Sequence, residues 1–232
     1  MTELIQWFST TETIPEQLVR HLYLSYVPAI AAFLLALPVG LYIGHARRFE
    51  FIAITLANLG RAVPSFAILS LALIVFLEIS PEHGLGFWPT FAALFFLSVP
   101  PILVNTHIGV KNVDPDTVEA ARGLGYPGGR ILREIELPLA APLIVTGMKT
   151  AAVQSVATAT LGAFVGAEGL GEFIRLGIRT QSSDVLLGGA ILVALLAIMT
   201  EALMSILERW VRPRIRRDVR TRPDAYAPAS VL

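Results

Sequence analysis

The run Leu22–Gly44, LYLSYVPAIAAFLLALPVGLYIG, carries no charged residue over 23 positions. A helix rises 1.5 Å per residue and the hydrocarbon core of a bilayer is about 30 Å thick, so about 20 apolar residues cross it. In lipid only a helix or a closed barrel satisfies its own backbone, and an unbroken apolar run fits the helix. The run therefore points to an all-α integral membrane protein. The whole chain agrees, with 54% hydrophobic and 16% charged residues, too apolar and too charge-poor for a soluble domain of this size.

Four further windows follow the first. Val63–Ile79 is short, with Glu78 at its edge. Phe87–Val110 contains Pro100-Pro101, and Pro142–Gly166 and Val185–Leu207 complete a set of five spans. The piece Phe51–Gly60 is too short to cross alone; it is either interfacial or the beginning of the second helix. The spans are thus about 22–44, 51 or 63 to 79, 87–110, 142–166 and 185–207. They make a transmembrane domain over 21–208, after an external arm at 1–20 and before a basic tail at 209–232.

Charge sets the orientation. With the N-terminus outside, Arg47, Arg48, Arg61, Lys111, Arg122, Arg130, Arg133 and Lys149 all fall at or toward the cytoplasm. So do the C-terminal Arg209, Arg212, Arg214, Arg216, Arg217, Arg220 and Arg222. Only Arg20, Arg175 and Arg179 remain outside, as the positive-inside rule demands. Tyr23, Tyr26, Trp88 and Trp210 lie near span ends, where amphipathic rings favour the headgroup zone. The basic tail reads as a topology anchor that touches anionic lipid.

The chain has no cysteine, which excludes disulfides and thiolate chemistry. His21, His45, His83 and His107 are scattered one per segment without metal-ligand spacing, so no metal site is expected. Pro28, Pro38, Pro64, Pro100 and Pro101 remove helical hydrogen bonds and predict kinks. The fourth span, with TGMKTAAVQSVATATLGAFVG, is rich in small and hydroxyl residues that let backbones approach, which predicts a packed interior helix. Its Lys149 either snorkels toward the interface or serves a translocation path.

Between the third and fourth spans, the cytoplasmic segment 111–141 is charged and glycine-rich. Asp114 is placed to cap a helix, Pro115 suits its first position, and Asp116 and Glu119 favour the positive end of its dipole. Gly123 or Gly125 ends it. A second short helix is predicted to start near Pro127, with Ile131, Leu132 and Ile135 at helical spacing and Leu137-Pro138 closing it. Gly123, Gly125 and Gly128 also match GxGxxG, but no strand precedes them and Pro127 interrupts them, so the dinucleotide reading fails. The chain contains no P-loop.

Within this segment, Glu119-Ala120-Ala121, Gly125, Ile135, Leu137 and Pro138 match at every position the EAA---G---------I-LP motif. In that motif the chain resembles permease subunits of bacterial binding-protein-dependent ABC importers. More narrowly, HLYLSYVPAIAAFLLALPVGLYIG, NLGRAVPSFAIL, NTHIGVKNVDPDTVEAARGLG and TATLGAFVGAEGLGEFI resemble the osmoprotectant branch, which moves glycine betaine, choline and carnitine. The resemblance covers roughly residues 20–208. It implies the type I ABC importer (MetI-like) permease fold, with the EAA helix coupling to a cytoplasmic ABC ATPase and Ala120 and Ala121 small enough for close seating.

It also implies a second permease subunit, copy or paralogue, a separate extracytoplasmic substrate-binding protein, and residence in the bacterial inner membrane. No nucleic acid is expected. The chain would be non-catalytic and hold no cofactor, with ATP and Mg bound by the partner ATPase. Phe66, Phe91, Phe95, Phe96 and Phe164 are aromatic candidates for a path that passes quaternary amines, and of these Phe66, Phe96 and Phe164 are chosen with Lys149. Glu168 departs from the small residue usual in the GAxGLG turn; it either alters contacts with the binding protein or is a neutral surface change. Import of another small solute such as an amino acid, or ion-coupled secondary transport, are the alternatives.

Overall fold

The computed structural model describes residues 11–48 and 63–211, together with Leu4, Trp7, Phe8, Glu50, Phe51, Ile54, Thr55 and Asn58. The arginine tail beyond residue 211, Arg61 and most of the ambiguous piece 51–60 lie outside the described residues. Helices α1 (Ile14–Ala46), α2 (Ser65–Ile79) and α3 (Phe87–Lys111) come first, followed by the short α4 (Pro115–Gly123) and α5 (Gly128–Ile131). Then come α6 (Leu137–Thr158), α7 (Gly171–Thr180) and α8 (Ser183–Val211). A π-helical turn at Leu132–Glu136 joins α5 to α6, and a 3-10 segment at Ala159–Val165 continues α6.

Among the described residues three helices, α1, α3 and α8, are long and apolar enough to cross a membrane. α2 has 15 residues and α6 has 22, diluted by small polar side chains. Two expected boundaries move. The first helix begins at Ile14, inside the expected arm, because Pro15 suits its first turn and Glu16 pairs with Arg20 one turn on at 2.7 Å. Such residues fail a hydropathy window and still make good helix. The fourth span, expected over 142–166, is α-helical only from Leu137 to Thr158, and its last seven residues wind as the tighter 3-10 helix up to Gly166 at φ +87°.

α3 is the centre of the bundle, packed on α1 on one side and on α6 on the other, and α8 closes over α6 and α7. The seam between α1 and α3 is close. A β-carbon on Gly40 would lie 2.8 Å from the Thr106 Cβ, and one on Gly44 would lie 2.7 Å from the Val110 Cβ. Ala32, Ala36 and Ile43 fill the rest of that seam against Ile102 and Leu103. These small residues bring the backbones together where lipid offers helices no hydrophobic reason to associate.

As its composition predicts, α6 is interior. Ala140, Gly147, Ala151, Ala152, Ser155 and Val156 are buried, and Ser155 and Ser98 hydroxyls meet across the α3 contact at 3.0 Å. His21 of α1 is fully buried with Nε2 3.0 Å from the Val156 carbonyl, and Tyr26 Oη meets Thr200 Oγ1 at 2.7 Å.

The outside of the bundle is apolar. α2 exposes Leu71, Ile74, Val75 and Ile79, and α8 exposes Leu195, Ile198, Met199 and Leu203. Such bands are tolerable against lipid or another apolar chain and not against water.

The two ends of the bundle are built differently. One carries the α4–α5 hairpin. At the other, the Gly86 amide donates to the Val165 carbonyl at 2.7 Å and the Gly169 amide donates to Gln17 Oε1 at 2.7 Å, tying the loop after α6 to α1 and α3. Glu168 pairs there with Arg20, the same guanidinium that holds Glu16.

Candidate functional site

α4 forms where the sequence places its caps. The Asp114 carboxylate accepts from the Asp116 amide at 3.0 Å, and Pro115 opens the helix. Asp116 sits in the first turn and Arg122 in the last, each complementing the dipole. At the far end Gly125 adopts φ +84°, the Tyr126 amide donates to the Ala121 carbonyl at 3.1 Å, and the Gly125 amide donates to Arg122 at 2.9 Å. This six-to-one and five-to-two pairing is a Schellman stop, and it needs a residue at ease in the left-handed region.

One stripe of α4 faces the chain itself. Val118 and Ala121, three residues apart, are buried in a small core with Val113, Ile131, Tyr126 and Ile135. The other stripe faces outward, since Glu119, Ala120, Gly123 and Leu124 are exposed, Leu124 by 79%. The two alanines of the motif therefore lie on different stripes. Each residue turns the helix by about 100°, so Ala120 faces out while Ala121 is spent on the hairpin's own core.

The second arm differs from its predicted form. Leu137-Pro138 does not close a separate helix; α5 passes through the π turn into α6. Proline at 138 has no amide to donate, and its ring would crowd the carbonyl four residues earlier. The wide turn, with the Leu137 amide donating to Leu132, takes up that conflict directly before Pro138. Leu137 then packs among Val110, Ala140 and Ile144 of α3 and α6. The hairpin thus stands on an arm continuous with an interior helix.

Two contacts fix the arm to α1. Glu136 is 5% exposed, and its Oε2 lies 2.5 Å from His45 Nδ1. A β-carbon on Gly128 would lie 3.1 Å from His45 Nε2, so the imidazole is wedged between the two. A buried carboxylate without a partner is costly, and this partner is 91 positions away in sequence. Between the end of α1 and α4 lies a polar cleft of about 700 Å³, lined by Arg47, Glu119 and Arg122 among others. On the outer side of the arm, Glu134 takes a 3.0 Å bond from Arg130 Nε and holds that guanidinium's pKa above its usual value, and Arg130 also lies 4.2 Å above the Tyr126 ring.

A capped, outward-facing hairpin rooted in a bundle of apolar helices is the setting in which the motif acquires meaning. The sequence matches, over residues 36–217, the family described as binding-protein-dependent transport system inner membrane component. The chain belongs to this family.

Among similar members, the glycine betaine/carnitine/choline transport system permease protein OpuCB of Bacillus subtilis is 34% identical over 195 residues, 84% of this chain and 87% of the relative. The carnitine transport permease protein OpuCD of Listeria monocytogenes is 34% identical over 215 residues, 92% of this chain and 93% of the relative. The osmoprotectant import permease protein OsmY of Salmonella typhimurium is 33% identical over 196 residues, 84% of this chain and 80% of the relative. In fold, the chain is similar to the inward-facing MetNI methionine ABC transporter, with a TM-score of 0.74 at 21% identity over 91% of this chain and 99% of the other. An amino acid ABC transporter with histidines gives a TM-score of 0.74 at 17% identity over 89% of this chain and 98% of the other. The type I importer permease fold is thus that of this family member.

The residues chosen for a path are not gathered in this permease. Phe66 and Phe164 meet edge to face at 6.4 Å between centroids. Phe96 lies instead against Phe95 at 5.5 Å and is largely exposed. Lys149 is about 25 Å along the helix axis from Phe164, at the rises of an α-helix to Thr158 and a 3-10 helix beyond it, and its ammonium is 2.8 Å from Glu208 Oε2 of α8. His45, Glu136 and Leu124 escaped the sequence reading. The only local signal was a carboxylate, Glu136, between the apolar positions Ile135 and Leu137.

Proposed function

We propose that this permease forms the translocation pathway of an ATP-driven importer of quaternary-amine osmoprotectants, glycine betaine, choline or carnitine. The observation that carries the reading is the hairpin: α4 turns Glu119, Ala120, Gly123 and Leu124 outward while Val118 and Ala121 lock it to an arm continuous with α6. A surface held that firmly and left uncovered suits a groove on a cytoplasmic ABC ATPase. Gly125 makes the turn, Ile135 and Leu137 root the arm, and Pro138 accompanies its wide turn.

ATP and Mg belong to the ATPase. Closure of two ATPases around ATP draws two hairpins together, and the stiff arms pass the motion to α6 and α3. The second permease, a copy or a paralogue, and an extracytoplasmic binding protein complete the system. The N-terminus then lies outside, and the hairpin and the basic tail lie in the cytoplasm, in keeping with the arginine distribution. The substrate class rests on the named relatives.

The test is reconstitution of the assembled transporter with its binding protein in proteoliposomes. ATP-dependent uptake of radiolabelled choline, glycine betaine or carnitine, stopped when hydrolysis is blocked, is the expected result. Uptake driven by an ion gradient alone overturns the mechanism, and uptake confined to amino acids overturns the substrate.

A further inference from the structure

At the end of the bundle opposite the hairpin lies a cavity of about 600 Å³ between α1, the start of α3 and the loop after α6. Tyr23, Phe87 and Trp88 contribute to its wall, and Arg20 and Glu168 stand in it as well. Phe87 and Trp88 meet at 76°, which makes two walls of a corner, while Tyr23 stacks on Phe87 at 5.2 Å. Trp88 remains 44% exposed and Tyr23 59%.

Arg20 and Glu168 line the cavity together, and Glu16, one turn back on α1, pairs with the same guanidinium, so among the described residues two carboxylates share this one cation. Aromatic faces attract a cation through their quadrupole, and they do so most strongly for a weakly hydrated ion such as a quaternary ammonium. A carboxylate beside them adds a Coulombic attraction that a neutral solute of the same shape does not feel. Interfacial anchoring explains a tyrosine and a tryptophan at a helix end, and it gives no reason for two carboxylates on one guanidinium.

The wall is also held still. The amides of Gly86 and Gly169 are bonded to Val165 and Gln17, and a β-carbon on Gly169 would lie 3.0 Å from the His21 ring. A pre-formed wall loses little freedom when a ligand arrives.

We infer that this cavity is a binding site for a trimethylammonium group, with Trp88, Phe87 and Tyr23 as its aromatic wall and Glu168 as its counter-charge. It is an entry site on the permease itself, used after release from the binding protein. The inference rests on the quaternary-amine reading above. Glu168, the departure from the small residue usual in this turn, then acts on the solute itself, in place of the two roles considered from sequence.

The test is saturable binding of radiolabelled choline to the whole transporter in nanodiscs of phosphatidylethanolamine and phosphatidylglycerol, without binding protein. Expected are competition by glycine betaine and carnitine, none by 3,3-dimethyl-1-butanol, the uncharged isostere of choline, and at least tenfold weaker binding in Trp88→Leu and in Glu168→Gln. Trp88→Tyr, which keeps an aromatic face, stays within a few-fold of the parent. Absence of saturable binding, equal competition by the isostere, or binding unchanged by both substitutions overturns the site. Nanodiscs that include phosphatidylcholine separate a free solute from a lipid headgroup: unchanged choline binding supports the solute, and its loss assigns the pocket to lipid. If the transporter imports quaternary amines and still fails these tests, the site alone is wrong. If it imports none, the substrate reading falls with it.

Discussion

Both ends of the bundle are rich in glycine, and the glycines serve opposite purposes. In the hairpin, a β-carbon on Gly123, Gly125 or Gly129 would meet nothing within 4 Å. At the other end several glycines are jammed. A β-carbon on Gly171 would lie 2.5 Å from the Thr160 carbonyl oxygen, and one on Gly162 would lie 2.8 Å from Thr90. Space at the first end is open, and space at the second is already used by the chain. Glycine content alone does not separate an open surface from a welded joint; the neighbours do.

That contrast is broken or sharpened most strongly at Gly171. Gly171→Val forces a branched side chain into backbone, an overpacking that costs about 1–3 kcal/mol where the structure yields and more where it does not. The expected outcome is loss of folded transporter, read as detergent-extracted yield and thermal stability.

Gly125→Val comes next. A non-glycine residue in the left-handed region costs about 1–2 kcal/mol, too little to prevent insertion and enough to misdirect the turn. Transport falls at least tenfold while the amount of inserted protein is unchanged; surviving transport removes the coupling role from the elbow.

A smaller effect is expected of Leu124→Asp. As an exposed substitution it moves folding stability by no more than about 0.5 kcal/mol, so a several-fold drop in stimulated ATP hydrolysis at unchanged melting temperature marks Leu124 as part of the docking face. Unchanged hydrolysis takes it out of that face. Smallest of all is Gly123→Ala, which lies in helix with open space around it and gains about 0.5–1 kcal/mol in helix propensity. Melting temperature is expected to rise slightly with transport preserved, and a loss of transport there means that a partner's backbone passes close by.

The long apolar helices α1, α3 and α8 and the capped helix were legible because each rests on local chemistry: an apolar run, Asp114 before Pro115, a glycine at the stop. Ala120 and Ala121 were legible only as a pair. Deciding which one faces out required knowing that Val118 and Ile131 close a core, and those residues meet only once the second arm folds back. The fourth span's start was misplaced because Pro138 reads locally as a stop, whereas packing of Leu137 and Ala140 against α3 carries the helix through it. The early start of α1 was hidden because Glu16 and Arg20 satisfy each other in helical register, which a hydropathy window scores as loop. The pairing of His45 with Glu136 has no local signal, being made only by the fold.

The wide turn at Leu132–Glu136 has one more consequence. A π turn is in effect one residue inserted into an α-helix, and one residue is about 100° of rotation. The angular phase between the bundle and the face that α4 presents is therefore set by a count along the chain as well as by contacts. Deleting a single residue from that turn would leave every helix able to form and point the hairpin in another direction, like a clock hand refitted on the wrong spline.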